Sequence, residues 1–94
     1  MNSLRFTVIK AWHDMAWQEY LSWQNQDRKT LRRINRLLTD IDRNDYNCTG
    51  SPESLKGNLQ GYWSVRIDKK NRIVFRIKDG ILEIIECGGH YENS

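Results

Sequence analysis

Four residues of this 94-residue chain carry side chains that together could cut an RNA phosphodiester: Glu53, Arg72, His90 and Tyr91. A carboxylate ionised at neutral pH can take the proton of a ribose 2′-hydroxyl. An arginine can hold the charge that builds on the phosphorane, and an imidazole with an ordinary pKa near 6.5 can protonate the departing 5′-oxygen. A tyrosine ring offers a face to an unstacked base, a contact of roughly 1–3 kcal/mol. Glu53 follows the only proline, Arg72 opens an apolar run, and His90-Tyr91 follow Gly88-Gly89 close to the chain end. Chain ends fray unless something ties them down, and glycines let such a tail bend without a Cβ clash. Each residue alone also has a bland explanation: a solvated loop carboxylate, half of a cross-strand ion pair, an idle terminal histidine.

These residues need elements to bring them together. "LRFTVIKAW" reads as an N-terminal strand with Phe6 and Val8 on one face and Thr7 and Ile9 on the other, buried at least partly on both sides. Asp14 is the expected N-cap of a short amphipathic helix, "MAWQEYLSWQNQ", with Ala16, Tyr20 and Trp23 on one side and Trp17 and Leu21 beside them. Asp27 caps a second helix, in which Leu31, Ile34, Leu38 and Ile41 form the buried seam and Lys29, Arg32, Arg33 and Arg36 the outer face. The segment "NDYNCTGSPESLKGNLQG" is dense in Asn, Gly and Ser and reads as a long connecting loop, a frequent seat of function. "YWSVRI", "NRIVFRI" and "ILEIIE" are joined by spacings that suit antiparallel hairpins. The expected fold class is therefore α+β: an N-terminal strand, a two-helix hairpin, then a twisted antiparallel sheet with helices on one face only. Some of Arg66, Arg72 and Arg76 alternate onto the uncovered face.

Length and composition agree with a single domain over residues 1–94 and a modest core. No apolar run approaches the roughly 20 residues of a membrane span, and the N-terminus lacks a signal-peptide pattern, so a cytoplasmic protein without a membrane partner is expected. Cys48 and Cys87 are two cysteines with no CxxC spacing and read as buried or idle thiols. No metal or other cofactor is expected: Cys87 and His90 have a CxxH spacing, but only His13 and Cys48 remain to complete a site. The net charge of +3 hides strong blocks. Five basic residues and no acid lie between Arg28 and Arg36, and seven lie between Lys56 and Lys78 against the one acid Asp68, whereas the chain from Asp79 onward has four acids and no Lys or Arg. Such clusters fit either a polyanionic partner or a solvated helix face with cross-strand ion pairs.

At these residues the chain resembles the YoeB/Txe toxins of the RelE superfamily. The resemblance runs from about Trp12 to Tyr91 and is carried by "YLSWQ", "RINRLLTDI", "GSPESLKGNLQGYWSVRID", "NRIVFRI" and "CGGHY". It implies a type II toxin that cleaves mRNA in the A site of the 70S ribosome, is neutralised by a YefM-type antitoxin, and forms a homodimer. By position it implies Glu53 as general base, His90 as general acid, Arg72 on the scissile phosphate and Tyr91 on the substrate, with Lys56 and Arg66 lining the site. The basic face of the second helix, Lys29, Arg32, Arg33 and Arg36, is then the surface expected to meet ribosomal RNA.

The chain departs from that pattern where the family tends to carry cations: "NCTGSP" with Ser51 precedes the proline, Val65 follows Trp-Ser, and Gly88 and Gly89 lie before His90. An extension, Glu92-Asn93-Ser94, follows the tyrosine. Fewer cations and an added acid should weaken phosphate binding. The competing reading is a non-catalytic module on the same scaffold, either a ParE-like gyrase inhibitor or an antitoxin-bound co-repressor. The set Glu53, Arg72, His90, Tyr91 separates the two, because a gyrase inhibitor has no use for it.

Overall fold

Periodicity resolves into five strands and two helices in a computed structural model that describes residues 9–88. The order is β1 (Ile9–Trp12), α1 (Asp14–Gln26), α2 (Arg28–Asn44), β2 (Glu53–Ser54), β3 (Trp63–Arg66), β4 (Arg72–Lys78) and β5 (Ile81–Cys87), with 3₁₀ turns at Asp45–Asn47 and Gly57–Leu59. The five strands make one sheet in the order β1-β5-β4-β3-β2. β2 to β5 are antiparallel, as expected, whereas β1 joins the edge parallel to β5. Of the N-terminal strand only Ile9–Trp12 lies within the described residues; it is largely solvent-exposed there, with Ile9 53% exposed. Trp12 is half-buried against the core, and the expected positions Phe6, Thr7 and Val8 lie outside the described residues.

The helical hairpin turns at Asp27. Its carboxylate accepts from the backbone of Lys29 and Thr30 and from the Thr30 hydroxyl, which satisfies first-turn donors of α2 and, led by the Thr30 bond, holds Asp27 below the usual carboxylate range. Asp14 is not a cap: His13 occupies that position without a side-chain bond, and Asp14 lies in the first turn, where its charge complements the helix dipole. Only Ala16 of α1 is fully buried, with Tyr20 and Trp23 packed against the core. α2 sinks deeper, burying Ile34, Leu37, Leu38 and Ile41 against Val65, Ile73, Phe75, Leu82 and Ile84 of the sheet. Leu31 is half-buried, and Leu37, outside the expected seam, is in the core.

Leu37 is covered because the loop after α2 folds back. Gly50 stands between that side chain and Val65, so close that a Cβ there would be 2.9 Å from Leu37 Cδ2 and 3.0 Å from Val65 Cβ. Its carbonyl accepts the amide of Arg66 at 2.8 Å. Tyr46 packs on Trp63 and Phe75 and its hydroxyl accepts the amide of Ile77 at 2.7 Å. The long loop is thus pinned to the sheet before it reaches Glu53, and part of it becomes β2.

β5 carries the feature that matters most for the site. Val74 pairs with Glu86 but Phe75 pairs with Ile84, so Ile85 is an extra residue in a β-bulge. Strict alternation from Leu82 and Ile84 would have turned Glu86 into the core; the bulge instead aims Glu86 to the same side as Glu83 and sends Cys87 inward, where it is fully buried. Among the described residues the apolar core therefore runs to Cys87.

Candidate active site

The sheet face away from the helices is built by register. Glu53 on β2 pairs with Ser64, Ser64 with Val74, and Val74 with Glu86, so these four share a row across the sheet, in which Ser64 and Val74 are buried. The next row along β3 and β4 is the pair Arg66 and Arg72. Paired and alternate residues face the same way in a pleated sheet, and Val65, Ile73 and Phe75 take the opposite face toward the helices. Two arginines are thereby flanked by a glutamate on each side, Glu53 toward the β2 edge and Glu86 toward β5.

Arg66 and Glu53 are exposed, and Lys56, three residues beyond Glu53 at the start of a 3₁₀ turn, is exposed as well. Arg72 is half-buried: its Nε lies 3.4 Å from Glu86 Oε2, and each side chain is 21% exposed. The backbone of Arg72 is pinned too, since its carbonyl accepts the amide of Gly88 at 2.8 Å. The end of β5 is clamped from the other side by α1, with Glu19 Oε1 accepting the Cys87 amide at 2.7 Å and Trp23 Nε1 donating to the Cys87 carbonyl at 3.2 Å. His90 and Tyr91 lie outside the described residues, two and three positions beyond this clamp.

Farther along the same face, Glu83 pairs in register with Arg76 and binds its Nε at 2.6 Å. It also sits 2.7 Å from His13 Nε2 and 3.4 Å from the Tyr62 hydroxyl, while the Arg76 guanidinium lies over the Tyr62 ring at 4.9 Å. Burial works against the charge of Glu83, but the bonds from His13 and Arg76 outweigh it and hold the carboxyl below its usual range. The thiol of Cys87 is driven the other way, up to about 12, by burial and by the nearby Glu19 and Glu86. Such a thiol is inert at neutral pH. Both cysteines are free and buried, and among the described residues no group of His, Cys, Asp and Glu is arranged to hold a metal ion. No helix among them is long and apolar enough to cross a membrane.

The exposed cations Lys29, Arg32 and Arg36 are carried by α2, which packs on the core face of the sheet. Arg33 is tied down: its Nε donates to the Ile67 carbonyl at 2.5 Å and its Nη2 to the Arg66 carbonyl at 3.3 Å, bracing α2 against the end of β3. Arg33, Arg36 and Arg43 also line a surface cavity of about 470 Å³ with Thr49 and Asp40. Sequence reasoning overlooked Glu86 and Glu83. The doubled isoleucine in "LEIIEC" was the available sign, because it breaks the alternation that would have sent these acids to opposite faces.

An α+β chain with helices on one sheet face and a carboxylate-arginine array on the other is thus defined. A model of the YoeB-like toxin of bacterial type II toxin-antitoxin systems matches residues 12–91. The toxin YoeB of Streptomyces coelicolor is 47% identical over 76 residues, covering 81% of this chain and 90% of that protein. Two structures from Staphylococcus aureus superpose closely. One is the heterotetrameric YoeB-YefM toxin-antitoxin complex (38% identity, TM-score 0.82, covering 89% of this chain and 98% of that one). The other is a YoeB dimer (37% identity, TM-score 0.81, covering 90% and 99%). The chain belongs to the YoeB family of type II toxins.

Proposed function

We propose that this toxin is a ribosome-dependent mRNA endonuclease that cuts codons in the A site and so stops translation. The observation that supports the reading is the shared face: the register of three adjacent strands puts Glu53 in one row and Arg66 and Arg72 in the next. In this reading Glu53 takes the 2′-hydroxyl proton, the 2′-oxygen attacks the adjacent phosphorus, and Arg72 holds the charge on the phosphorane. His90 gives a proton to the 5′-oxygen as its bond to phosphorus breaks, leaving a 2′,3′-cyclic phosphate. Tyr91 stacks on the substrate, and Lys56 and Arg66 supply further charge. The exposed cations of α2 meet ribosomal RNA, which lets the toxin bind the ribosome and present its sheet to the message at once.

The family and its structures also support the partners: a YefM-type antitoxin, and a second copy of the toxin in a dimer. The setting is the cytoplasm, where ribosome, message and antitoxin meet. Toeprinting of a translating message tests the whole reading. Added toxin should produce new 3′ ends within A-site codons, and naked RNA of the same sequence should stay intact. A translation block without cleavage would favour a non-catalytic module instead.

A further inference from the structure

Resting on the proposed contact between Arg72 and the scissile phosphate, we infer that Glu86 is a positioning residue that orients Arg72 through its Nε and tempers its pull on the substrate. The bulge at Ile85 turns Glu86 toward the open face, one row from Arg72, and the carboxylate meets the Nε edge of the guanidinium at 3.4 Å. Both partners are four-fifths shielded from water. An arginine presents a rigid, planar set of donors. A carboxylate on the Nε edge fixes the plane of the fork, while its negative charge offsets part of the attraction for an incoming phosphate. The substrate is itself an anion, so Glu86 and the message compete for one cation. This competition falls on the cation that the proposed reading sets closest to the chemistry.

The two effects separate by substitution. Glu86→Gln keeps an oxygen to receive the Nε–H and removes the charge; Glu86→Ala removes both. On programmed 70S ribosomes, Glu86→Gln should lower KM for the message by about five-fold, the scale of one shielded charge pair, with kcat near the wild-type value. Its binding to a message carrying 2′-deoxyribose at the cleaved nucleotide should depend more steeply on salt, by up to about one unit of the log-log slope. Glu86→Ala should lower kcat, because the guanidinium loses the Glu86 contact on its Nε edge. Arg72→Ala serves as the control for the underlying reading. If Arg72→Ala loses cleavage while both Glu86 variants keep wild-type KM, kcat and salt slope, the inference about Glu86 is overturned and the role of Arg72 stands. If Arg72→Ala also cleaves normally, the reading on which the inference rests has failed. A melting curve checks that each variant folds. Should Glu86→Gln not fold, the Arg72 Nε–H resonance of the wild type decides: it should persist, protected from exchange, when the 2′-deoxy message binds, and loss of that protection would overturn the inference.

Discussion

Trp23 closes over Gly88: a Cβ placed there would stand 2.6 Å from the indole Nε1 and 2.8 Å from Cζ2. Gly88 also has φ of +95°, a region that side-chain-bearing residues avoid. Any side chain at this position therefore meets a steric barrier in this chain. Gly88→Ala should destabilise the fold by about 1–3 kcal/mol from backbone strain alone, read as a lower midpoint in urea. An unchanged midpoint would mean that neither the positive φ nor Trp23 constrains this position.

The proton-transfer roles are tested at the two ends of the site. Glu53→Gln and His90→Ala should each slow single-turnover cleavage on programmed ribosomes by roughly 10²–10⁴-fold, the usual worth of a positioned acid or base. Deleting the chain from His90 onward should abolish cleavage with little loss of stability, since the core of the described residues ends at Cys87. A deletion variant that still cuts message would remove His90 and Tyr91 from the mechanism, and one that fails to fold would make the tail structural.

Glu83 should make stability depend on acid. Its folded pKa lies below the unfolded value, so its stabilisation is fully present above the ordinary glutamate value of about 4.3 and is lost as pH falls through the lower folded value. The free-energy gap between wild type and Glu83→Gln, from urea unfolding, should be larger at pH 7 than at pH 3. Equal gaps at the two pH values would show that the bonds from His13 and Arg76 contribute nothing to folding.

Two neighbouring cations on α2 should behave differently. Arg33→Ala leaves the Ile67 carbonyl without its donor and should cost about 1–3 kcal/mol of stability. Arg32→Ala, on the exposed face, should stay within about 0.5 kcal/mol of wild type but lower the salt slope of ribosome binding by about one. Equal stabilities would contradict the bracing role of Arg33, and an unchanged slope would take Arg32 out of the RNA contact.

What could be read in the residues was whatever a local pattern specifies. Asp27 announced the helix junction, the period of Ile34, Leu38 and Ile41 announced the buried face of α2, and the alternation of Arg72 and Arg76 with Ile73, Phe75 and Ile77 announced an open face. What escaped was set by contacts distant in sequence. Leu37 is buried by a loop that folds back at Gly50, and no period in α2 records that. Glu86 meets Arg72 only because one strand holds an extra residue, and Arg33 turns from a solvent-facing cation into a brace because the end of β3 comes within its reach. The exposure of Ile9 likewise escaped, because β-prone composition does not tell an edge from a centre.

The bulge also means that β5 keeps count of pairs, not of residues. Ile85 has no slot of its own in the ladder, so losing it would leave Val74 opposite Glu86 and Ile73 opposite Cys87. Loss of that residue leaves the pairs beyond it in register. The same change between Glu86 and His90 has no such slack, because Cys87 and Gly88 are fixed to Glu19, Trp23 and Arg72. Loss of a residue from this strand is thus tolerated by the ladder at one position and costly a few residues later, and a drift in tail length would reach the chemistry before it reached the fold.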